Sequence, residues 1–283
     1  MAYSIDKCKL IATRVDEIGI SETAIEFGIA NDSVKRALRY VRQHEREDLL
    51  MQPKDEIKKQ RNECVINGGN TVLCIGDLHT PFDLDEYFDH CCMVYNKVNP
   101  NIIVFIGDVI DNHYSSYHES DPDGMGGRDE LDLAIERLKR WYKMFPDAYV
   151  TIGNHDRMVM RKSQTSHVPR RWIKSYKEVL ETPNWYFTDR VDIDNVQYIH
   201  GEAGTARIKC KTDMMSTVQG HLHTQAYVDW QIGRSHKVFG CQVGCGIDFN
   251  TYAMSYAKQG KKPAVGCAVI IDGINCTNWM MDL

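Results

Sequence analysis

Along the first fifty positions, apolar residues recur at the three-to-four spacing of a helix. Leu10, Ile11, Val15 and Ile18 mark one face of a helix over residues 5–18, and Gly19 ends it. Ser21 is placed to cap a second, short helix, with Glu22 in its first turn and Ala24, Ile25 and Phe27 as its apolar set. Gly28 then offers a tight turn. Asn31 or Asp32 caps a third helix through Val34, Leu38 and Val41. Its solvent-facing positions carry Lys35, Arg36, Arg39, Arg42 and Arg46.

This pattern stops near Leu50. Charges of both signs, Pro53 and the turn-rich Asn67-Gly68-Gly69-Asn70 predict a linker over residues 50–69, between a helical domain at 1–49 and a second domain at 70–283. Beyond it the apolar positions form short continuous runs at 71–75, 102–106 and 148–152. Each run ends in a glycine: Gly76, Gly107 and Gly153. Such runs read as buried strands, and a glycine lets the chain turn sharply at the strand end. Helix-like stretches at 83–98 and 129–145 lie between them. The βαβαβ order predicts a layered α/β domain with its site beyond the carboxyl ends of the strands. Further strand-like runs follow at 185–187, 191–199, 215–219, 226–232, 237–243 and 265–271.

The predicted strand ends carry the chemistry. Gly76-Asp77-Leu78-His79 follows the first run, Gly107-Asp108-Val109-Ile110-Asp111 the second, and Gly153-Asn154-His155-Asp156 the third. The 191–199 run ends in His200-Gly201, and the 215–219 run in Gly220-His221-Leu222-His223. Carboxylates, imidazoles and an amide oxygen are ligands for divalent transition metals. Alternate positions, as in Asp77/His79 and His221/His223, aim two side chains into one site when the backbone is extended. A single histidine at a strand end is usually a structural hydrogen-bonding residue. Five such ends in series need a common explanation.

The ordered set resembles the calcineurin-like metallophosphoesterase superfamily, whose pattern is DxH, GDxxD, GNH[DE], a lone His and GHxH. The resemblance covers roughly residues 70–275. It implies a four-layer αββα sandwich, here preceded by the small all-α domain, and a centre of two divalent ions. Manganese is the first expectation, with iron, zinc or nickel as alternatives. By motif position, Asp77, His79, Asp108 and His223 would hold one ion. Asp108, Asn154, His200 and His221 would hold the other, with Asp108 bridging. Two cations about 3.5–4 Å apart activate water and clamp phosphate oxygens during in-line displacement, so no protein nucleophile is required. The resemblance makes His155 the group that protonates or stabilises the leaving oxygen, and Asp156 the group that orients its imidazole.

Composition narrows the setting. The chain has 283 residues, 43% of them hydrophobic and 26% charged, which excludes collagen-like, disordered and coiled-coil classes. The longest apolar run, 264–271, is far short of the ~20 residues a membrane span needs. Asp6, Lys7 and Lys9 stand where a secretion signal would be apolar, which predicts a cytoplasmic protein. The 10 cysteines include no CxxC pair and read as reduced, packed thiols. Five of the 11 histidines fall inside the motif set. His44, His90, His167 and His236 have no motif context and read as surface or structural residues.

The net charge of −5 excludes a generally basic nucleic-acid binder but leaves room for local basic faces. Two exist. The first is the third N-terminal helix, where Ala24, Gly28, Ile29, Val34 and Leu38 resemble a helix-turn-helix unit. The resemblance implies DNA contacts from Lys35, Arg36, Arg39 and Arg42. The second follows the third motif, with Arg157, Arg161, Lys162, Arg170, Arg171, Lys174 and Lys177 interleaved with Trp172 and Tyr176. Phosphate pairing and base stacking there would suit a nucleic-acid strand, whereas the bland alternative is a solvated face with Trp172 in the core.

The protein Ser/Thr phosphatase branch of the superfamily carries arginines where this chain has Asn112 and Ile152, and Arg157 could stand in for only part of them. The GNHD form is closer to the phosphodiesterase and DNA-nuclease branches. Substrate contacts are expected from Arg157, Arg161 and His113, the last on a loop with Tyr114, Tyr117 and His118. The expected reaction is hydrolysis of a phosphodiester in DNA or a nucleotide. The alternatives are a phosphomonoesterase, and a DNA-binding regulator with a vestigial catalytic domain.

Overall fold

A computed structural model describes residues 4–50, 64–117, 123–251 and 261–282, without the side chains of residues 5 and 42–50. The side chain of Arg42, together with His118 and residues 121–122 of the expected loop, therefore lies outside the described residues. The chain divides into two compact units, Met1–Arg61 and Asn62–Leu283.

Among the described residues, the first unit contains three helices: α1 (Ile5–Ile18), α2 (Ile20–Phe27) and α3 (Asn31–Leu50). The Ser4 hydroxyl accepts the Lys7 N–H at the start of α1. Gly19, at φ 86°, closes α1 and caps α2 in one step. Its carbonyl accepts both the backbone N–H and the hydroxyl of Thr23, so Ser21 sits inside the first turn of α2 and is not its cap. Gly28 is left-handed at φ 62°, a conformation that costs a glycine little. Cys8, Ile11, Ala24, Val34, Ala37 and Val41 form the small core. Lys35, Arg36 and Arg39 are exposed.

The second unit is a four-layer sandwich. One sheet has the order β12-β11-β2-β3-β4-β5, built from β2 (Thr71–Ile75), β3 (Ile102–Phe105), β4 (Tyr149–Thr151), β5 (Tyr186–Thr188), β11 (Gly266–Ile271) and β12 (Asn275–Met280). The other has the order β1-β6-β7-β8-β10-β9, from β1 (Cys64–Ile66), β6 (Val191–Ile193), β7 (Val196–Ile199), β8 (Ser216–Gln219), β9 (Tyr227–Ile232) and β10 (Lys237–Gln242).

Alternation along the strands decides which residues meet. In β2, Val72 and Cys74 face the second sheet, among Val191, Tyr198, Val218, Phe239 and Cys241. Leu73 and Ile75 point the other way, into a core shared with α4 (Asp85–Val98) and α5 (Gly127–Met144). Trp141 of α5 lies among Tyr87, Phe88 and Phe105 in that core. On the far side, α8 (Ala206–Asp213) packs on β8 and β10. Each fully buried Leu, Ile, Val or Phe contributes on the order of 1.5–3 kcal/mol, so both interlayers resist single truncations only partly.

Several elements differ from the sequence pattern. The apolar run at 191–199 is a hairpin, not one strand. Asp194 and Asn195 take φ 48° and 61°, and β6 pairs antiparallel with β7. Asp and Asn tolerate the left-handed region, so this pair turns the chain inside an otherwise strand-like run. Cys64–Ile66, within the stretch read as linker, forms β1 and pairs with β6. The helices α6 (Met158–Thr165) and α7 (Tyr176–Val179) are only eight and four residues long. Among the described residues, no helix is long and apolar enough to cross a membrane. All ten cysteines are free thiols.

Candidate metal centre

Parallel pairing sets the site. β2, β3 and β4 run parallel in one sheet, and β7 and β8 run parallel in the other, so the five motif-bearing strands present their carboxyl ends together. At those ends the backbone leaves its ordinary regions. His79, Asp108, Asn112 and His221 all take positive φ, between 45° and 68°. Such residues cost about 1 kcal/mol or more each and persist where the surrounding structure overdetermines them. The glycines of the motifs give the space. A Cβ on Gly153 would collide with the Asp108 carboxylate, and one on Gly220 with that of Asp77.

Three groups of side chains come together: Asp77, His79 and His223; His79, Asp108 and His155; and Asp108, His200 and His221. Within each group the ligating atoms lie within 4.8 Å of one another. Asn154 joins the third group, its Oδ1 2.9 Å from His200 Nε2. Asp108 Oδ2 lies 3.1 Å from His200 Nε2 and 3.7 Å from His79 Nε2, between the two sides. The seven residues expected to hold metal are thus neighbours, grouped around Asp108 as the motifs imply.

Their hydrogen bonds leave donor atoms facing inward. His79 Nδ1 donates to Asp111 Oδ1 (2.6 Å), and His200 Nδ1 donates to the Ile106 carbonyl (2.9 Å). A fixed Nδ1 leaves Nε2 for a ligand. The Nε2 atoms of His79 and His223 stand 3.0 Å apart, facing each other. Asp77 Oδ2 accepts the His221 N–H (2.7 Å), while Asp77 Oδ1 is buried with no hydrogen-bond partner among the described residues. A buried carboxylate oxygen without a donor is costly unless positive charge meets it. These residues fit two divalent cations held by oxygen and imidazole ligands.

The electrostatics agree. Burial pushes Asp108 up, but the imidazoles of His200 and His155 outweigh it and hold its carboxyl well below the usual range. Burial lowers His200, yet the Asp108 carboxylate pushes it up to about 10. His79 and His221 are lowered, first by burial.

The catalytic pair expected from the motif is arranged differently from the expectation. Asp156 does not orient the His155 ring. Its carboxylate accepts the backbone N–H of Gly153 (2.8 Å), Asp108 (2.9 Å) and Val109 (3.1 Å), with Ile110 at 3.4 Å. A buried carboxylate settles where amides converge, and here they are those of the two motif turns. Burial, reinforced by Asp108, raises Asp156 to about 7. Asp111, the last residue of the second motif, meets the ring instead. His155 Nδ1 donates to the Asp111 carbonyl (2.6 Å), with Asp111 Oδ1 at 3.4 Å. Burial lowers His155, but Asp108 and Asp111 together raise it above an ordinary imidazole. The sequence carried the signal for Asp111 in the second carboxylate of GDxxD. Asn112 adds a bond from its amide to the His155 carbonyl (2.9 Å).

The expected substrate residues scatter. Arg157 is engaged by Glu202 and by Asp189 (2.9 Å), so its guanidinium is committed to carboxylates. Arg161 lies over the Tyr117 ring at 4.9 Å. His113 is buried, its backbone N–H donating to Glu130 Oε1 (2.7 Å) and its Nδ1 3.9 Å from Asp111 Oδ2. Glu130 itself is pushed up to about 7, mainly by burial, and its Oε2 has no hydrogen-bond partner among the described residues. Trp172 is 83% exposed and is not a core residue.

A family model for calcineurin-like phosphoesterase matches residues 71–257. Among solved structures, the chain is similar to Vacuolar Protein Sorting 29 from Cryptosporidium parvum, with 13% identity and a TM-score of 0.39, over 75% of this chain and 97% of that one. It is also similar to YfcE, a phosphoesterase from E. coli, with 15% identity and a TM-score of 0.36, over 73% of this chain and 98% of that one. No curated protein matches the chain. The family match spans more than half of the chain and every motif from Asp77 to His223, so the chain belongs to the calcineurin-like phosphoesterase family of hydrolases acting on phosphate esters.

Proposed function

We propose that the chain hydrolyses phosphodiesters, in DNA or in nucleotides, at the Asp–His centre. The observation that carries this reading is the commitment of Arg157. It is the arginine adjoining the third motif, and Glu202 and Asp189 already neutralise it. Asn112 and Ile152 occupy the positions where the protein Ser/Thr phosphatase branch of this family has its other guanidiniums. A phosphomonoester brings up to two negative charges and is best gripped by bidentate arginines, whereas a diester brings one.

When bound, two divalent ions, manganese first among them, would polarise water and offset charge on the phosphate. Asp77, His79, Asp108 and His223 would hold one, and Asp108, Asn154, His200 and His221 the other. His155 would serve as the general acid. Its Nδ1 is tied to the Asp111 carbonyl, which leaves Nε2 to move a proton to the leaving oxygen. Asp111 also fixes His79, so one residue aligns an acid and a ligand. Asp156 keeps the turns in register by holding four of their amides.

The decisive assay compares bis-p-nitrophenyl phosphate with p-nitrophenyl phosphate in the presence of Mn²⁺. Preference for the diester is expected, and a strong preference for the monoester would sink the reading.

The helix-turn-helix resemblance of the first unit extends this reading to DNA. Lys35, Arg36 and Arg39 are exposed on α3, and the buried face of that helix is separate from them. The paired substitution Arg36→Ala with Arg39→Ala should weaken DNA binding and reduce its salt dependence by about two counter-ions. Unchanged binding would make the unit a protein-docking element.

A further inference from the structure

The basic stretch at 157–177 does not act as one surface. Arg157 is paired with carboxylates, while Arg161 and Lys162 lie over Tyr117. Arg170, Lys174 and Lys177 do something else: they line the rim of a cavity of about 520 Å³. All three are exposed, and Lys174 and Lys177 act on the Glu178 carboxylate only through space, without a close ion pair among the described residues. The one acidic neighbour on the same turn, Glu178, spends its carboxylate on the backbone and hydroxyl of Ser175.

The interior of the cavity is of opposite character. Tyr176 and Phe187 stack at 5.3 Å with 25° between their planes, and Trp185 lies 6.4 Å from Phe187. Tyr114, Val159 and Leu131 add to the wall. A cavity of several hundred Å³, mostly apolar with a few charged groups at one side, has the form of a small-molecule site. Aromatic walls favour a flat ring, which stacks or meets edge to face with them. Exposed cations at the rim favour an anionic group at the other end of the same molecule.

The floor ties this cavity to the centre. Asn112 and Asp156 both line it. Asn112 holds the His155 carbonyl, and Asp156 holds the amides of Asp108 and Gly153. A ligand in the cavity would therefore touch residues that brace the motif turns without entering the Asp–His cluster.

We propose that this cavity is a second binding site, for a small aromatic anion. Its ring lies against Tyr176, Phe187 and Trp185, and its anionic group lies at Arg170, Lys174 and Lys177. This inference does not depend on whether the centre cleaves diesters or monoesters.

The test uses the full chain and two fluorescent probes. One is the aromatic sulfonate 8-anilinonaphthalene-1-sulfonate, and the other is the neutral N-phenyl-1-naphthylamine. The sulfonate should bind saturably at one site per chain. Arg170→Glu with Lys174→Glu should weaken the sulfonate about tenfold or more and change the neutral probe by less than about threefold. Val159→Trp fills the wall and should weaken both probes by about tenfold. Non-saturating or multiple-site binding overturns the proposal. So does sulfonate binding that survives the charge reversal, or a neutral probe lost along with it. If near-UV circular dichroism shows Val159→Trp to be misfolded, the charge reversal decides alone, because both its side chains are exposed.

Discussion

The strand ends of the sandwich and the basic stretch that follows the third motif are both polar, yet they are built on opposite terms. At the strand ends, Asp77, His79, Asp108 and His200 are almost completely buried, and nearly every polar atom has an assigned partner. In residues 157–177 most of the cations are exposed, and the partners differ from one cation to the next. The difference is energetic. Burying a carboxylate or imidazole costs several kcal/mol unless hydrogen bonds or opposite charge compensate it. A buried polar site therefore demands its whole set of partners, and that set shows in the sequence as ordered motifs. An exposed lysine costs little anywhere, so its position alone says little about its role.

The comparison can be broken most directly at Asp108. Asp108→Asn removes the carboxylate that lies between both ligand groups. Turnover of a metal-activated phosphoester should fall about a thousandfold, with loss of bound metal by elemental analysis. A variant that keeps both its metal and its activity would show that the buried cluster is not the centre.

His155→Ala comes next. Metal content should stay at the wild-type ratio while kcat falls about a hundredfold, as expected for loss of a general acid. Falling metal content would instead place His155 among the ligands, a role its closeness to His79 and Asp108 makes the natural competitor.

A smaller effect separates the two aspartates around that histidine. Asp111→Asn should weaken metal affinity about tenfold, because it orients His79, and should lower kcat through His155. In Asp156→Asn the loss should appear first as a lower thermal midpoint, since its carboxylate holds backbone amides of two turns. Equal behaviour of the two variants in metal titrations would erase the distinction.

The smallest change is expected at Arg157. Arg157→Ala removes exposed ion pairs with Glu202 and Asp189, and kcat/KM for a diester should change by less than about threefold. A much larger loss would mean that the guanidinium leaves its carboxylates to meet substrate, and would return it to the site.

Much of the architecture could be read from the chain. The strands at 71–75 and 102–105 and the helix at 5–18 follow directly from apolar spacing, because each buries a face with a regular period. The motif glycines were readable too, since only glycine clears the Asp77 and Asp108 carboxylates. The hairpin at Asp194-Asn195 was hidden by its flanks, both of which look like strand. The first strand of the second unit was hidden by its length: Cys64–Ile66 is three residues, too short for a periodic signal, and it exists because β6 offers it an edge. Asp156 was misplaced for a different reason. Neighbours in sequence suggest partners in space, but the His155 ring meets Asp111 while the Asp156 carboxylate takes backbone amides.

The sequence by itself determined the residues that can bind metal, the order in which strands deliver them, and the family they place the chain in. Those properties follow from local chemistry: ligand type, glycine at a strand end, and alternation along a strand. Only the tertiary structure decided which groups share a proton or a bond. It joined Asp111 to His79 and His155, tied Arg157 to Glu202 and Asp189, and left Trp172 in solvent. It also enclosed a cavity between residues as far apart as Tyr114 and Phe187. Long-range packing makes these choices, because a charged or aromatic side chain takes its partner from whatever the fold brings within a few ångströms, not from its place in the chain.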